Sequence, residues 1–274
     1  MAQTILISGC SSGIGYYCAH QLHQQGFRVI ATARKEKDVE RLRTEGLISY
    51  PLDLASSASI QQALELIFEQ HGRRIDVLFN NGAYGQPGAT EDLSREVMRK
   101  QFETNVFGTM ELTNRIIPLM RQQQHGRIIH NSSVLGFVAL AYRGAYNASK
   151  YALEGFADTQ RLELKGSGVY ISLIEPGPIT SSFRQNAYQH FLQHIDRKNS
   201  AHADRYHKME AHFTKQGPAV PFTLGPEAVY KALQHAIQAR RPKERYYVTF
   251  PTRLFGVLKR VLTTRAMDKI LAKV

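Results

Sequence analysis

The sequence predicts a doubly wound α/β fold: a single domain with a parallel sheet of about seven strands and helices on both faces. Three observations carry this. Short β-rich apolar runs alternate with helical patterns from the start of the chain. The runs Ile5-Leu6-Ile7 and Val77-Leu78-Phe79 are apolar without alternation, as in strands covered on both faces. A glycine-rich turn joins the first strand to the first helix.

In order, Thr4–Ser8 reads as a strand and Gly13–Gln25 as a helix closed by Gly26. Arg28–Ala33 is the second strand, Glu36–Glu45 a charged helix closed by Gly46, and Leu47–Leu52 the third strand. Ser56 and Ser57 are N-cap candidates for a helix to Gln70, with Gly72 behind it. Ile75–Phe79 is the fourth strand, and helices follow near Ser94–Phe107 and Thr109–Gln123. Arg127–Asn131 is the fifth strand, Ala145–Lys165 a long helix, and Val169–Ile174 a sixth strand stopped by Pro176. Gly225-Pro226 opens a helix to about Arg240, and Tyr246–Phe250 is the last strand. Such alternation builds βαβ units.

The stretch 180–223 breaks the rhythm: it is polar, aromatic and rich in histidine, without a strand signal. It is too long for an ordinary connection and is expected to form a lid over a binding site. Phe183, Tyr188, Phe191, Tyr206 and Phe213 can give that site apolar walls, with Tyr84, Val134, Phe137 and Tyr142 near its edge; each has an ordinary core reading as well. His190 and His194 stand four apart, yet without cysteine or acidic partners at helical spacing a solvated helix face is favoured and no metal is expected.

Composition bounds the rest. Hydrophobic residues make up 43% of the 274 and charged residues 21%, as in a water-soluble domain, and no apolar run has the length of a membrane span. No basic region precedes a long apolar stretch at the start, so no signal peptide is expected. Cys10 and Cys18 alone are no disulfide framework, and a cytoplasmic location is the simplest expectation. The net charge of +12 suits an anionic partner, although the basic residues are scattered and no nucleic-acid motif is present. The segment 251–274 reads as an amphipathic helical extension. Packing on its own domain or a second subunit is the favoured reading; a peripheral membrane contact is the other.

The chemistry sits at three places. Ser8-Gly9-Cys10-Ser11-Ser12-Gly13-Ile14-Gly15 lies between a strand and a helix, where amide groups and the positive helix end converge on a pyrophosphate. A glycine loop alone is a weak signal, but this context strengthens it. The second strand ends Ala33-Arg34-Lys35, with no carboxylate to repel a 2′-phosphate. Arg34 offers a planar fork for that phosphate and Ser12 a hydroxyl, which points to NADP(H); Arg34 can also be a plain helix start. Asp53 either accepts from an adenine amino group or caps the next helix.

Tyr146 and Lys150 are four apart near the start of the long helix and share a face. A lysine ammonium one turn from a phenol favours the phenolate and lowers its pKa. Tyr146 can then donate a proton to a carbonyl oxygen as hydride reaches the carbon. Ser133, thirteen positions earlier, can orient the same oxygen; Ser132 is the alternative, and spacing favours Ser133.

Together, Ser8-Gly9-x3-Gly13-Ile14-Gly15, Asn81-Gly82-Ala83, Asn105, Ser133, Tyr146-x3-Lys150 and Pro176-Gly177-Pro178 resemble the short-chain dehydrogenase/reductase family over nearly the whole chain. Ser8 stands for the family's usual threonine, and Asn81-Gly82-Ala83 for its Asn-Ala-Gly. The resemblance implies a Rossmann-type fold with Tyr146, Lys150, Ser133 and Asn105 as catalytic residues, Asn105 through a backbone-held water that links Lys150 to solvent. It places the cofactor at Gly9, Ser11, Ser12, Gly13, Ile14, Gly15, Arg34, Asp53, Leu54, Asn81, Gly82, Ala83, Tyr146, Lys150, Pro176, Gly177, Ile179, Thr180 and Ser181. Cys10-Ser11-Ser12 and Ala31-Thr32-Ala33-Arg34 are similar to the 17β-hydroxysteroid and retinol dehydrogenase branch, and the C-terminal segments to NADP-dependent aldehyde reductases of enterobacteria. Reversible reduction of a small hydrophobic aldehyde or ketone, by a homodimer or homotetramer, is the implied activity. The competing reading is a non-catalytic NADP(H) sensor, against which the intact Tyr146, Lys150, Ser133 and Asn105 argue.

Overall fold

The computed structural model describes residues 2–215, Gly217 and 220–274. Seven parallel strands form one sheet: β1 (Thr4–Ile7), β2 (Arg28–Ala33), β3 (Ile48–Pro51), β4 (Val77–Asn80), β5 (Gly126–Asn131), β6 (Val169–Glu175) and β7 (Arg245–Tyr247). Their order is β3-β2-β1-β4-β5-β6-β7. The order reverses between β1 and β4, which opens a crevice at the carboxyl ends of those strands.

The helices divide between the two faces as the strand side chains dictate. Ile5 and Ile7 of β1 point into one cluster with Cys18 and Leu22 of α1 (Gly13–Gln24), Val39 and Leu42 of α2 (Glu36–Thr44), and Val229 and Leu233 of a later helix, Glu227–Gln238. Leu6, between them in sequence, points the other way. It joins Ile60 and Ile67 of α3 (Ser57–His71), and Leu112 and Ile116 further along. The period of two thus supports two cores from one strand. At roughly 25 cal/mol per Å² of apolar surface, these two buried layers dominate the folding free energy.

Three expectations at element ends need correction. The two helices expected around Ser94–Phe107 and Thr109–Gln123 form one continuous helical rod: α4 (Arg95–Phe102), a π-helical segment Glu103–Gly108, and α5 (Thr109–Gln123). Gly108 does not end a helix there. It lets the rod press against the Leu54 carbonyl, which any side chain at that position would overlap. Tyr246–Phe250 is not the last strand either. Phe250 opens α10 (Phe250–Val261), because Thr249 caps that helix by accepting from the Thr252 amide at 3.4 Å, and Pro251 lies in the first turn, where its missing N–H costs nothing. The extension 251–274 is accordingly two helices, α10 and α11 (Thr264–Leu271), rather than one.

Between β6 and the helix Glu227–Gln238 (α9), the stretch 180–223 holds α7 (Phe183–His194) and α8 (Ala203–Thr214). The remaining helix, α6 (Gly144–Glu163), follows β5 and carries the Tyr146–Lys150 pair. None of the helices is long and apolar enough to cross a membrane, among the described residues. Cys10 and Cys18 are buried free thiols, and burial pushes the Cys10 thiol up to about 12.

Candidate active site

The site forms where β1, β4 and β5 end. The glycine loop leaves β1 with Gly9 at φ +73°, a conformation open to glycine at little cost. A side chain at Gly15 would run into the Gly9 carbonyl and stand 2.5 Å from Asn81 Nδ2. The backbone of the loop is therefore folded directly on itself and on the end of β4. Ser8 completes the junction: its hydroxyl accepts from the amides of Asn81 (3.1 Å) and Gly82 (3.0 Å). Asn81 donates through Nδ2 to the carbonyls of Ser8 (3.2 Å) and Gly9 (3.0 Å), and Ala83 continues the same edge.

This loop fits a pyrophosphate. Helix α1 begins at Gly13 with Ser12 in the N-cap position, yet no side chain caps its first amides and its first turn holds no acid. Ser11, Gly13, Ile14 and Gly15 present backbone to that end, where orphan N–H groups and the helix dipole favour an anion. Arg34, at the end of β2, is exposed. Its charge bears on both Tyr84 and His190, so it stands beside the crevice. Arg41 of α2, unforeseen in the sequence, donates to the Ser11 carbonyl at 2.6 Å and lies over the Tyr16 ring at 5.1 Å. Asp53 is partly committed: its Oδ1 accepts from Ala55 N at 3.0 Å, while the cap of α3 is Ser56, which accepts from Ser59 N. Leu54 is wedged between Gly82 and Gly108.

The chemical groups converge one strand further on. Tyr146 and Lys150 lie in the first two turns of α6, both buried, with the Lys150 ammonium 5.7 Å from the centre of the Tyr146 ring. Ser133 is the cap residue of the short turn after β5; its hydroxyl accepts from the Leu135 amide at 3.1 Å and lies near enough to the Tyr146 phenol to oppose the rise of its pKa. The structure thus brings Ser133, rather than Ser132, to Tyr146. The Ser132 hydroxyl lies with the Glu154 side chain beside Gly136, buried and without a hydrogen-bond partner.

Electrostatics differ from the expectation that Lys150 lowers the phenol pKa. Burial raises the Tyr146 pKa well above its ordinary value, offset only in part by the Ser133 hydroxyl. Burial also pulls the Lys150 ammonium down to about 8, which Glu154 partly opposes. The physical reason is that both groups are withdrawn from water, which disfavours the charged form of each. Tyr146 is therefore held as a neutral, proton-bearing phenol.

Lys150 does not stand alone. Its Nζ donates to the Asn131 carbonyl at 2.6 Å, and Asn131 Nδ2 donates to Asn81 Oδ1 at 2.9 Å. A chain of hydrogen bonds therefore runs from the Gly9 carbonyl through Asn81 and Asn131 to Lys150. Asn131 escaped the sequence reading; its place at the carboxyl end of a central strand was the available signal. Asn105 sits in the π segment and is buried. Its side chain exchanges hydrogen bonds with the Tyr84 backbone (3.2 and 3.0 Å) and donates to Ser149 at 3.0 Å, which ties the helical rod to α6.

Under Lys150 lies a buried acidic pair that the sequence did not single out. Glu154 and Glu175 flank Arg245, whose Nη2 is 3.0 Å from Glu154 and whose Nε is 3.1 Å from Glu175. Burial raises both carboxyls, Glu175 to about 9 with the Glu154 charge adding to it. Pro176 and Gly177 leave β6 beside this pair. The Pro176 carbonyl accepts from Val134 at 2.8 Å, and Gly177 packs on Thr249. Ile179 bridges to Leu224, Thr180 N donates to the Leu224 carbonyl at 2.8 Å, and Ser181 Cβ stands 3.0 Å from where a Gly13 side chain would begin. The segment 176–181 therefore passes over the glycine loop.

Of the lid aromatics, Phe183 reaches the site, with its ring 5.2 Å from that of Tyr146. Phe191, Tyr206 and Phe213 do not line it. They form a separate small core with Ala187 and Ile195, because both lid helices have one apolar face to bury. The Tyr206 hydroxyl donates to Asp92 and accepts from Ala89 N, and Tyr188 stacks on Phe213 at 5.4 Å. Tyr142 packs on the same core, and Phe137 packs on Tyr247. His190 stacks on Tyr84 at 4.3 Å, and His194 Nδ1 is 2.8 Å from Gln86 Oε1. Among the described residues no group of three or more metal-ligating side chains occurs.

Comparison with known proteins agrees with this architecture. The short chain dehydrogenase family model matches residues 3–191. The oxidoreductase YbbO of Escherichia coli is 42% identical over 99% of this chain and 94% of its own. Bovine retinol dehydrogenase 8 is 38% identical over 66% of this chain and 60% of its own, and bovine 17-beta-hydroxysteroid dehydrogenase type 6 is 31% identical over 98% and 87%. A solved short-chain dehydrogenase from Streptomyces avermitilis superposes with a TM-score of 0.80 at 25% identity, covering 100% of this chain and 97% of that one. Solved neighbours of the same fold carry NADP or NAD. With its seven-stranded parallel sheet, its glycine loop and a matching model over most of its length, the chain belongs to the short-chain dehydrogenase family of oxidoreductases.

Proposed function

We propose that this protein uses NADPH to reduce an aldehyde or a hydrophobic ketone to the alcohol, with Tyr146 as proton donor. The observation that carries the reading is the buried cluster of Tyr146, Ser133 and Lys150, with the Lys150 ammonium one helical turn from the phenol and 5.7 Å from its ring. A protonated phenol placed beside a hydroxyl and an ammonium can give its proton to a carbonyl oxygen as hydride reaches the carbon.

The dinucleotide, when bound, supplies the hydride. The chain does the rest. The first amides of α1 and the Ser11–Gly15 backbone hold the pyrophosphate. Ser133 holds the substrate carbonyl oxygen against the Tyr146 hydroxyl, and Tyr146 delivers its proton there as charge develops. Lys150, positioned by the Asn131 carbonyl, would donate to the ribose of the bound dinucleotide. Asn105, tied to the Tyr84 backbone and to Ser149, joins the π segment to the helix that carries Tyr146 and Lys150, and its backbone would hold a water that returns a proton.

NADPH is favoured over NADH because β2 ends at Arg34 with no carboxylate, and Arg41 adds a second guanidinium at the Ser11 carbonyl. A hydrophobic substrate is supported by Phe183 against Tyr146 and by relatives named for retinol and 17-beta-hydroxysteroids. Helices α7 and α8 act as the lid over that substrate.

NADPH oxidation measured across aliphatic aldehydes, ketosteroids and retinal tests this. Turnover is expected with at least one class. Tyr146→Phe is expected to lose about 10²–10⁴-fold in turnover while binding NADPH as before, the range for a general acid. Tight NADPH binding with no turnover anywhere in the panel would instead establish a sensor.

A further inference from the structure

Helix α10 presents its apolar side outward. Phe250, Leu254, Val257 and Val261 follow one another at spacings of four, three and four, and so share a face. They are 56%, 41%, 58% and 70% exposed. Thr252 and Gly256, on the opposite face, are the buried residues of the helix, and Gly256 meets the Tyr247 ring. Phe255 and Leu258 are partly buried, so the helix carries a second apolar row on its solvent face, whereas a surface helix ordinarily confines its apolar stripe to the core side. Phe222, 60% exposed, extends the row by packing on Phe250 with ring centres 5.0 Å apart. Single exposed apolar side chains are ordinary, but a contiguous row marks an interaction surface.

The charge around the row says what covers it. Residues 250–274 contain six basic side chains, Arg253, Lys259, Arg260, Arg265, Lys269 and Lys273, against one acid, Asp268. Among the described residues, none of the six enters an ion pair with a carboxylate: Arg253 donates to the Tyr247 carbonyl, Arg260 to the Tyr247 hydroxyl, and Lys259 to the Phe137 carbonyl. Arg253 and Arg260 thus flank the apolar row with their charge uncompensated, while Lys259 lies on the opposite side of the helix. A second copy of the chain, itself at +12, would set positive against positive across a twofold contact. An anionic lipid surface answers both features, since it takes apolar side chains into the acyl boundary and cations at the headgroups.

We propose that α10 and Phe222 form a docking surface for an anionic lipid leaflet. Phe250, Leu254, Val257 and Val261 enter the leaflet, with Arg253 and Arg260 at the phosphates. The surface adjoins the candidate site, because Lys259 holds the turn that follows Ser133 and Leu224 is bridged to Ile179. Docking therefore turns the site's edge of the domain toward the membrane. This inference stands whether or not the proposed reduction is correct.

Flotation with vesicles decides it. The full-length protein is expected to float at low salt with vesicles of equal parts phosphatidylglycerol and phosphatidylcholine. It should bind phosphatidylcholine alone at least about tenfold more weakly. Val257→Glu/Val261→Glu is expected to lose at least about tenfold in partitioning, with unchanged circular dichroism and melting temperature. Arg253→Glu/Arg260→Glu is expected to weaken binding and remove its salt dependence. No flotation of the wild type, or equal flotation of the Val257/Val261 variant, overturns the proposal. So does a wild-type dimer in sedimentation that this variant splits, which would make the face a subunit interface.

Discussion

The glycine loop and the lid flank the same phenol, yet different parts of the chain hold them in place. The loop rests on backbone: Gly15 against the Gly9 carbonyl, the Ser8 hydroxyl on two amides, Asn81 on two carbonyls. The lid rests on side chains, with Phe191, Tyr206 and Phe213 buried in a core of their own. Backbone packing allows few residue types at each position, whereas an aromatic core accepts many arrangements of similar volume. Under the proposed function, the difference separates a part that would bind one invariant cofactor from a part free to vary with substrate.

Four experiments break or sharpen that contrast. Phe191→Ala removes a fully buried ring from the lid core and is expected to cost about 3–5 kcal/mol locally. Hydrogen exchange in 183–194 and 203–214 should accelerate and the KM for aldehyde rise, while NADPH affinity holds. Faster exchange around β1 and β4 as well would show that lid and loop are one cooperative unit.

Gly15→Ala is expected to do the reverse. Its Cβ overlaps the Gly9 carbonyl, and overpacking of this kind costs roughly 1–3 kcal/mol. NADPH affinity measured by fluorescence should fall up to about a hundredfold, with lid exchange unchanged. Affinity equal to wild type would mean that the loop is not the pyrophosphate seat.

Lys150 lies between the two regions and carries a pH signature. Its pKa falls from 10.5 in the unfolded chain to about 8 in the folded protein. Between those values the unfolded chain holds the extra proton, so this lysine's contribution to stability rises with pH across that window and its full penalty applies below it. Lys150→Met should therefore raise the melting temperature near pH 7, by on the order of 1–3 kcal/mol in stability, and the gain should vanish toward pH 10.5. Turnover should be lost at every pH. A variant less stable than wild type at pH 7 would mean that the bond to the Asn131 carbonyl outweighs the burial of the ammonium.

The smallest effect is expected from Arg34→Asp, an exposed position. The ratio of NADPH to NADH use should shift toward NADH by about tenfold, on the order of 1.4 kcal/mol. An unchanged ratio would transfer the phosphate-reading role to Arg41.

What was legible follows the same division. The strands, their two-faced burial and the loop were readable because each rests on local rules: period, turn chemistry and steric room at glycine. Tyr146 and Lys150 were readable because helical spacing places them on one face. For Phe191, Tyr206 and Phe213 the sequence left lining and core open, since an aromatic residue on such a helix can face the site or its neighbour helix, and only the packing of α7 on α8 chooses. The rod through Glu103–Gly108 was misread for a similar reason. A glycine that usually ends a helix was required instead by the Leu54 carbonyl, which is remote in sequence.

From the order of residues alone the fold class follows, because period and turn chemistry specify it, and the spaced motifs carry the family resemblance and the candidate reacting side chains. Three matters were left to tertiary contact: how far burial shifts the phenol and the ammonium, where the lid aromatics pack, and which way α10 faces. Each depends on water being excluded, or not, by segments tens of residues away. Desolvation is a property of the assembled volume, and it is written in no single stretch of the chain.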